Sequence, residues 1–216
     1  MEELRSDAKG LAFMNLFAPL VLMVLLFFSM SAFVPLRDGI KVHVGFMSFA
    51  ELIVYIPYFL MWFNFLESLK NSYEDNETMV TAVKMGKAAM LVKIIAIVVG
   101  ILASLAVIFG NGVFVGSVDM DLIGICPSSK IVLFFRAISL VSFILIAVMY
   151  LLFSENTEHK SSMKYITIAL AALSVISAVT NSRTESSYLW GIVMVGCQLL
   201  EFLFLYRIYK GFEFKS

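Results

Sequence analysis

The sequence predicts an all-α fold: a polytopic membrane protein built as a bundle of six transmembrane helices, with both termini on the cytoplasmic side. Of its 216 residues, 61% are hydrophobic and 15% are charged, and the mean hydropathy is +0.93. Soluble domains are about 45–50% apolar, so this composition is typical of a membrane protein. Two further observations support the prediction: the lengths of the apolar segments and the distribution of Lys and Arg between the loops.

Six segments reach the length of about 20 apolar residues that a spanning helix needs. Their connections are short except at 69–85 and 110–130, which leaves no room for a soluble domain. We therefore expect a single integral membrane domain over residues 1–216. The predicted helices cover residues 10–36, 44–68, 86–109, 131–153, 163–181 and 187–208.

Lys and Arg are unevenly divided between the two sides of a six-span arrangement, with ten on the side of the N terminus and four on the other. Because basic loops stay in the cytoplasm, both termini are predicted to be cytoplasmic, in a plasma membrane or a bacterial inner membrane. The ten are Arg5, Lys9, Lys70, Lys84, Lys87, Lys160, Lys164, Arg207, Lys210 and Lys215, and the four are Arg37, Lys41, Lys130 and Arg183.

The first apolar segment has an alternative interpretation as a signal peptide. Against it, Glu2, Glu3 and Asp7 oppose a positively charged N-terminal region. The apolar run from Leu11 to Leu36 is also longer than the roughly 7–15 residues of a signal-peptide core. We therefore expect a retained helix.

The second segment has a polar and aromatic face, in which side chains recur at spacings of three and four residues. Pro57 removes a backbone donor in this segment and should loosen the helix near Ile53. Beyond it, residues 69–85 are predicted to form a short cytoplasmic helical hairpin, with Asp75 or Asn76 capping the third helix. The polar and aromatic face of the second segment consists of Ser48, Glu51, Tyr55, Tyr58 and Trp62.

The third segment combines small residues with one charge on a single helical face. Lys93, Ala96, Gly100 and Ser104 all lie on that face. Small residues let helix backbones approach closely in a membrane, and charges avoid lipid. This face is therefore predicted to contact another helix.

The long loop at 110–130 contains turn-forming glycines and two short apolar runs, which predict either a small hairpin or a segment lying on the membrane. Asp119 and Asp121 could hold a cation, but two carboxylates alone favour a solvated loop.

Ionisable residues inside spanning helices are functional candidates because their burial in a membrane is costly. Counted from the basic residues at the membrane boundaries, Glu51 and Arg136 lie in the outer half and Lys93 and Glu201 in the inner half, roughly 9–12 Å deep. These matched depths predict two couples of opposite charge. The alternative is that the charges are structural pairs, or that the basic side chains extend to the interface.

These residues and their neighbours predict a pathway for a ligand or ion. We expect a small-molecule or ion transporter, or the substrate-binding membrane subunit of one. The alternative is a non-transporting subunit or scaffold, which would bind a membrane-protein partner through residues 69–85. The predicted pathway consists of Glu51, Tyr55, Tyr58, Trp62, Lys93, Arg136, Gln198 and Glu201.

Other functional classes find little support in the sequence. His43 and His159 lie in loops on opposite sides of the predicted membrane, and no hydrolase, metalloprotease or P-loop motif occurs. We expect no enzymatic activity, no catalytic residues, no metal and no cofactor. The balance of 16 basic and 16 acidic residues argues against nucleic acid as a partner. The lipid bilayer is expected to surround the helices, beside the possible ligand and membrane-protein partner named above.

Overall fold

The computed structural model describes residues 1–33, 39–109, 118–119, 124–125, 130–159, 161–181 and 187–215. Within these ranges, side chains are described except at residues 33, 39–45, 47–48, 51, 100–109, 118–119, 124–125, 130–136, 180–181 and 187–191. The helices in this part of the chain are α1 (Glu2–Phe33), α2 (Gly39–Ser72), α3 (Glu77–Phe109), α4 (Lys130–Glu155), α5 (Ser162–Asn181) and α6 (Ser187–Tyr209).

Each predicted segment corresponds to one of these helices, and the all-helical prediction is confirmed. Helices α1, α2, α4, α5 and α6 are long and apolar enough to cross a membrane. The last ten residues of α3, 100–109, belong to the part of the chain whose side chains are not described. The loop between α3 and α4 contains a two-residue antiparallel pairing of β1 (Val118–Asp119) with β2 (Gly124–Ile125).

The main helix contacts form a closed ring. Each helix packs against the next one in sequence, and α6 returns to pack against α1. Every helix therefore has two neighbours and one face that points toward the middle of the ring. This order places residues from distant parts of the chain around one central space.

Asn76 caps α3, as predicted from the sequence. Its side-chain oxygen accepts a hydrogen bond from the Met79 N–H at 3.0 Å. Its side-chain nitrogen donates to the Asn156 side chain at 2.9 Å and to the Lys215 carbonyl at 3.0 Å. The hairpin between α2 and α3 is thus tied to the end of α4 and to the C-terminal tail.

The C-terminal tail, residues 210–215, folds back under the helices, which the sequence analysis did not predict. Gly211 adopts a positive φ of 94°, a conformation that glycine adopts without strain and that turns the chain after α6. Phe214 is only 5% exposed and packs against Phe153 and Tyr73, with ring centroids 5.6 and 5.8 Å away. Its backbone N–H donates to the Tyr73 hydroxyl at 2.9 Å.

Candidate functional site

A cavity of about 420 Å³ lies inside the ring of helices. All six helices contribute to its wall, so the cavity is a product of ring closure rather than of any helix pair. Its volume falls within the range of small-molecule binding sites. Its polar lining consists of Asn15, Tyr55, Tyr58, Lys93, Ser139, Ser142, Ser174, Cys197, Gln198 and Glu201.

Glu201 on α6 is the acidic group of this cavity. The Tyr150 hydroxyl lies 3.3 Å from its Oε1 atom, and the Tyr58 hydroxyl lies 3.4 Å from its Oε2 atom. Both phenols can donate to the carboxylate, although these distances are at the long end for O–H···O hydrogen bonds. The carboxylate therefore keeps most of its capacity to accept hydrogen bonds from a group in the cavity.

Asn15 links three helices beside Glu201. The Tyr58 hydroxyl donates to the Asn15 side-chain oxygen at 2.9 Å, and the Asn15 side-chain nitrogen donates to the Gln198 carbonyl at 2.7 Å. A phenol has one O–H to donate, and the shorter contact is the one to Asn15. The hydrogen bonds thus fasten α1 to α2 and α6 at the level of the acid.

Lys93 on α3 is the basic group of the cavity. Its ammonium lies 5.9 Å from the centroid of the Phe59 ring, which is within cation–π range. Among the described side chains, ion pairs within 4.0 Å join Arg5 to Glu213 and Glu67 to both Lys70 and Lys87, but none joins Lys93 to Glu201. The cavity therefore contains two opposite charges that share one space without direct contact.

An aromatic floor lies between the level of Glu201 in the cavity and the C-terminal tail. It is formed by Trp62, Phe65, Phe153 and Phe204. Trp62 follows Tyr58 by one turn of α2, and Phe204 follows Glu201 by nearly one turn of α6. These four side chains are at most 1% exposed. Phe153 and Phe204 stack with centroids 5.7 Å apart, and Phe214 of the tail packs beneath them.

Tyr73 holds the tail against the floor from outside the spanning helices. Burial raises the pKa of its phenol above the ordinary value, and the nearby Glu213 carboxylate acts in the same direction. The hydrogen bond from the Phe214 N–H opposes these effects in part. The phenol therefore remains neutral, and remains an acceptor for the tail, throughout the neutral pH range.

Five of the eight residues predicted as a pathway line the cavity: Tyr55, Tyr58, Lys93, Gln198 and Glu201. Trp62 lies instead in the aromatic floor, where its ring meets Phe65 edge to face at 5.6 Å. Glu51 and Arg136 belong to α2 and α4, but their side chains, and with them the predicted outer couple, lie outside the described part.

Asn15 and Tyr150 are members of the site that the sequence analysis did not select. Asn15 is a polar residue in a long apolar run, and that isolation is a signal that could have identified it. Tyr150 has no comparable signal, because tyrosine near the end of a spanning helix is common at the membrane interface. Tyr150 belongs to the site because its hydroxyl lies close to Glu201, and only the folded structure shows that distance.

No group of three or more His, Cys, Asp and Glu side chains that could hold a metal ion occurs within the described ranges. Cys197 lines the cavity, with its sulfur 3.9 Å from the Ser177 hydroxyl.

No family model, curated protein or solved structure matches the chain. The function must therefore be argued from the cavity itself.

Proposed function

We propose that the chain is a six-span membrane protein, with both termini cytoplasmic, that binds a small molecule or ion in its central cavity. Binding serves transport across the membrane, by this protein alone or by a complex of which it is the substrate-binding subunit. The ten-to-four division of Lys and Arg supports the orientation. The small residues of α3 and the packing of α3 between α2 and α4 support the sixth span.

The observation that supports this function most directly is the presence of Lys93 and Glu201 in one cavity lined by all six helices. A charged side chain costs about 2.5–3.5 kcal/mol at the centre of a spanning helix on insertion scales, and less toward the ends. Apolar side chains could fill the same space without that cost. A binding role accounts for the retained charges and for the space between them.

The closed inner end supports a transport cycle that begins from the opposite side. The aromatic floor and Phe214 separate the cavity from the side on which the hairpin and the tail lie. Release of a ligand on that side requires the floor to open, which in turn requires the tail to move. The cycle would thus load the cavity first and displace the tail second.

Thermal unfolding of the purified protein against a compound panel tests ligand binding. The panel contains simple amines, carboxylates, amino acids and sugars. We expect at least one class to raise the midpoint of the wild-type protein and to lose this effect in Glu201→Gln. The matched control is Glu155→Gln, which removes an exposed carboxylate from the end of α4 and should respond like wild type.

Cys197 provides an independent measurement of cavity occupancy. In a Cys126→Ser background, a methanethiosulfonate reagent should modify Cys197 through the cavity, and the stabilising compound should slow this reaction. Uptake of the same compound into proteoliposomes then distinguishes transport from binding alone. If no class stabilises the protein and no reagent reaches Cys197, the proposed binding function is wrong.

The alternative function is that of a non-transporting subunit that docks a partner through residues 69–85. Glu74, Asp75 and Glu77 in this hairpin are exposed and give it an acidic surface. In that case Glu201→Gln would leave assembly with the partner unchanged, whereas charge reversal of the hairpin would impair it. Uptake measurements and co-purification of the same variants separate the two functions.

A further inference from the structure

The two charges of the cavity are held apart by their own partners. Glu201 faces the hydroxyls of Tyr58 and Tyr150, while the Lys93 ammonium lies over the ring of Phe59. The charges therefore interact across the cavity rather than through a salt bridge. Opposite charges in a low-dielectric site attract strongly, and their separation leaves each of them incompletely compensated.

We propose that the ligand is a zwitterion of amino-acid size, whose ammonium group binds Glu201 and whose carboxylate binds Lys93. This proposal rests on the proposed binding function and names its substrate class. A zwitterion brings one opposite charge to each side chain at once, and such charge-assisted hydrogen bonds are stronger than neutral ones. A ligand with a single charge would bring an opposite charge to one side chain and none to the other.

The remainder of the cavity fits the apolar body of such a ligand. Phe59, Ile146, Phe143 and Met194 contribute an apolar wall around the charged level. The volume of about 420 Å³ accommodates a compact molecule of amino-acid size. Apolar and aromatic walls with a few converging polar groups are typical of small-ligand sites, and here those polar groups have both signs.

Two matched sets of ligands test the proposal on the full chain in nanodiscs. The first set is L-phenylalanine with hydrocinnamate, which lacks the ammonium group, and phenethylamine, which lacks the carboxylate. The second is L-leucine with isocaproate and isoamylamine. In at least one set the amino acid should bind about 10- to 100-fold more tightly than either single-charge analogue, because each analogue loses a hydrogen bond between charged groups.

Two substitutions assign the charges to the two ends of the ligand. Lys93→Met should bind the amino acid no more tightly than the matching amine. Glu201→Gln should bind it no more tightly than the matching carboxylate. Glu155→Gln, on the exposed end of α4, should retain the wild-type preference. If either cavity variant fails to fold, the comparison of the three ligands on the wild-type protein still decides.

The outcomes separate this proposal from the function on which it rests. If, in both sets, a single-charge analogue binds as tightly as the amino acid, the zwitterion is overturned. The zwitterion is also overturned if the wild-type protein binds neither amino acid but is stabilised by an amine, a carboxylate or a sugar. In that case the binding function stands. If no compound of any class binds, both proposals fail.

Discussion

At the residue scale, Asn15 and Tyr58 determine how the wall of the cavity is held together. Both side chains are buried, and their hydrogen bond at 2.9 Å continues from Asn15 to the Gln198 carbonyl at 2.7 Å. A buried donor or acceptor that loses its partner is costly, because hydrocarbon offers no replacement. The two side chains thus stabilise the contacts among α1, α2 and α6.

Tyr58→Phe should lower the free energy of unfolding by about 1–2 kcal/mol, since it leaves the Asn15 oxygen without its donor. Steric trapping in bicelles measures this change. The control is Tyr165→Phe, which removes a hydroxyl from a side chain that is 65% exposed and should change stability by less than about 0.5 kcal/mol. Equal effects of the two substitutions would contradict the role of the Tyr58 hydroxyl.

Tyr73 makes docking of the tail sensitive to alkaline pH. Burial raises the pKa of its phenol in the folded protein above the ordinary value of about 10. The folded state therefore holds the proton more tightly than the unfolded state does. The contribution of the Tyr73 phenol to stability is complete below a pH of about 10 and decreases as the pH rises through the folded-state pKa.

A spin label at the exposed residue 215, in a background that lacks Cys126 and Cys197, should consequently become more mobile above a pH of about 10 when Tyr73 is present. In Tyr73→Phe the label should be more mobile at neutral pH, because the Phe214 N–H has lost its acceptor. It should show no further transition in the alkaline range from this group. An identical alkaline transition in both proteins would assign it to another residue.

At the element scale, the contact of α3 with α2 and α4 depends on the absence of a side chain at Gly86. A Cβ atom at this position would lie 2.5 Å from the Met149 sulfur and 3.0 Å from a Leu66 methyl group. Both distances are shorter than van der Waals contact. The glycine therefore permits a close approach of three helices at the level below the cavity.

Gly86→Ala should destabilise the protein by about 1–3 kcal/mol relative to Gly196→Ala, because both substitutions favour helix formation but only the first one overpacks its surroundings. Gly196→Ala is the matched control, because its Cβ would meet Leu173 at an ordinary 3.5 Å and the substitution also favours helix formation. The same unfolding assay compares the two variants. Equal stability of both would show that Met149 and Leu66 move aside without cost.

The elements were largely predictable from the sequence, whereas their arrangement was not. Apolar length predicted all six helices, and of the two predicted caps, Asp75 and Asn76, the structure shows Asn76 at the start of α3. Depth and facial position predicted that Lys93 and Glu201 would face each other, because these depend only on helical geometry. The sequence did not predict that Lys93 and Glu201 share a cavity without a salt bridge, because this depends on the order of the helices in the ring.

The position of the C-terminal tail could not be predicted from the sequence. Residues 210–215 have no apolar periodicity, and they are too few to predict an element. Phe214 is buried because the ends of α2, α4 and α6 present Tyr73, Phe153 and Phe204 at one place. A long-range aromatic cluster of this kind leaves no local pattern in the chain.

At the scale of the whole molecule, the proposed six-span topology rests on the distribution of basic residues between the loops. We expect single-cysteine variants at Ser117 and Ser161, in a background that lacks Cys126 and Cys197, to differ in their reaction with an impermeant maleimide. Ser117→Cys should react from outside intact cells. Ser161→Cys should react only after permeabilisation, which also controls for its reactivity. The reverse result, or equal access, would contradict the six-span arrangement.

Closure of the ring by α1 and α6 has a consequence for biogenesis. The side-chain nitrogen of Asn15 and the carbonyl that it binds on α6 are 183 residues apart, so α1 enters the bilayer long before its partner is synthesised. Until α6 is inserted, α1 to α5 form an open arc whose polar inner wall has no cover. Until then the Asn15 side-chain nitrogen lacks the acceptor that α6 provides, so the hydrogen bond between α1 and α6 forms only after the last helix is in place. Completion of the cavity wall is thus the last step in the assembly of the helices.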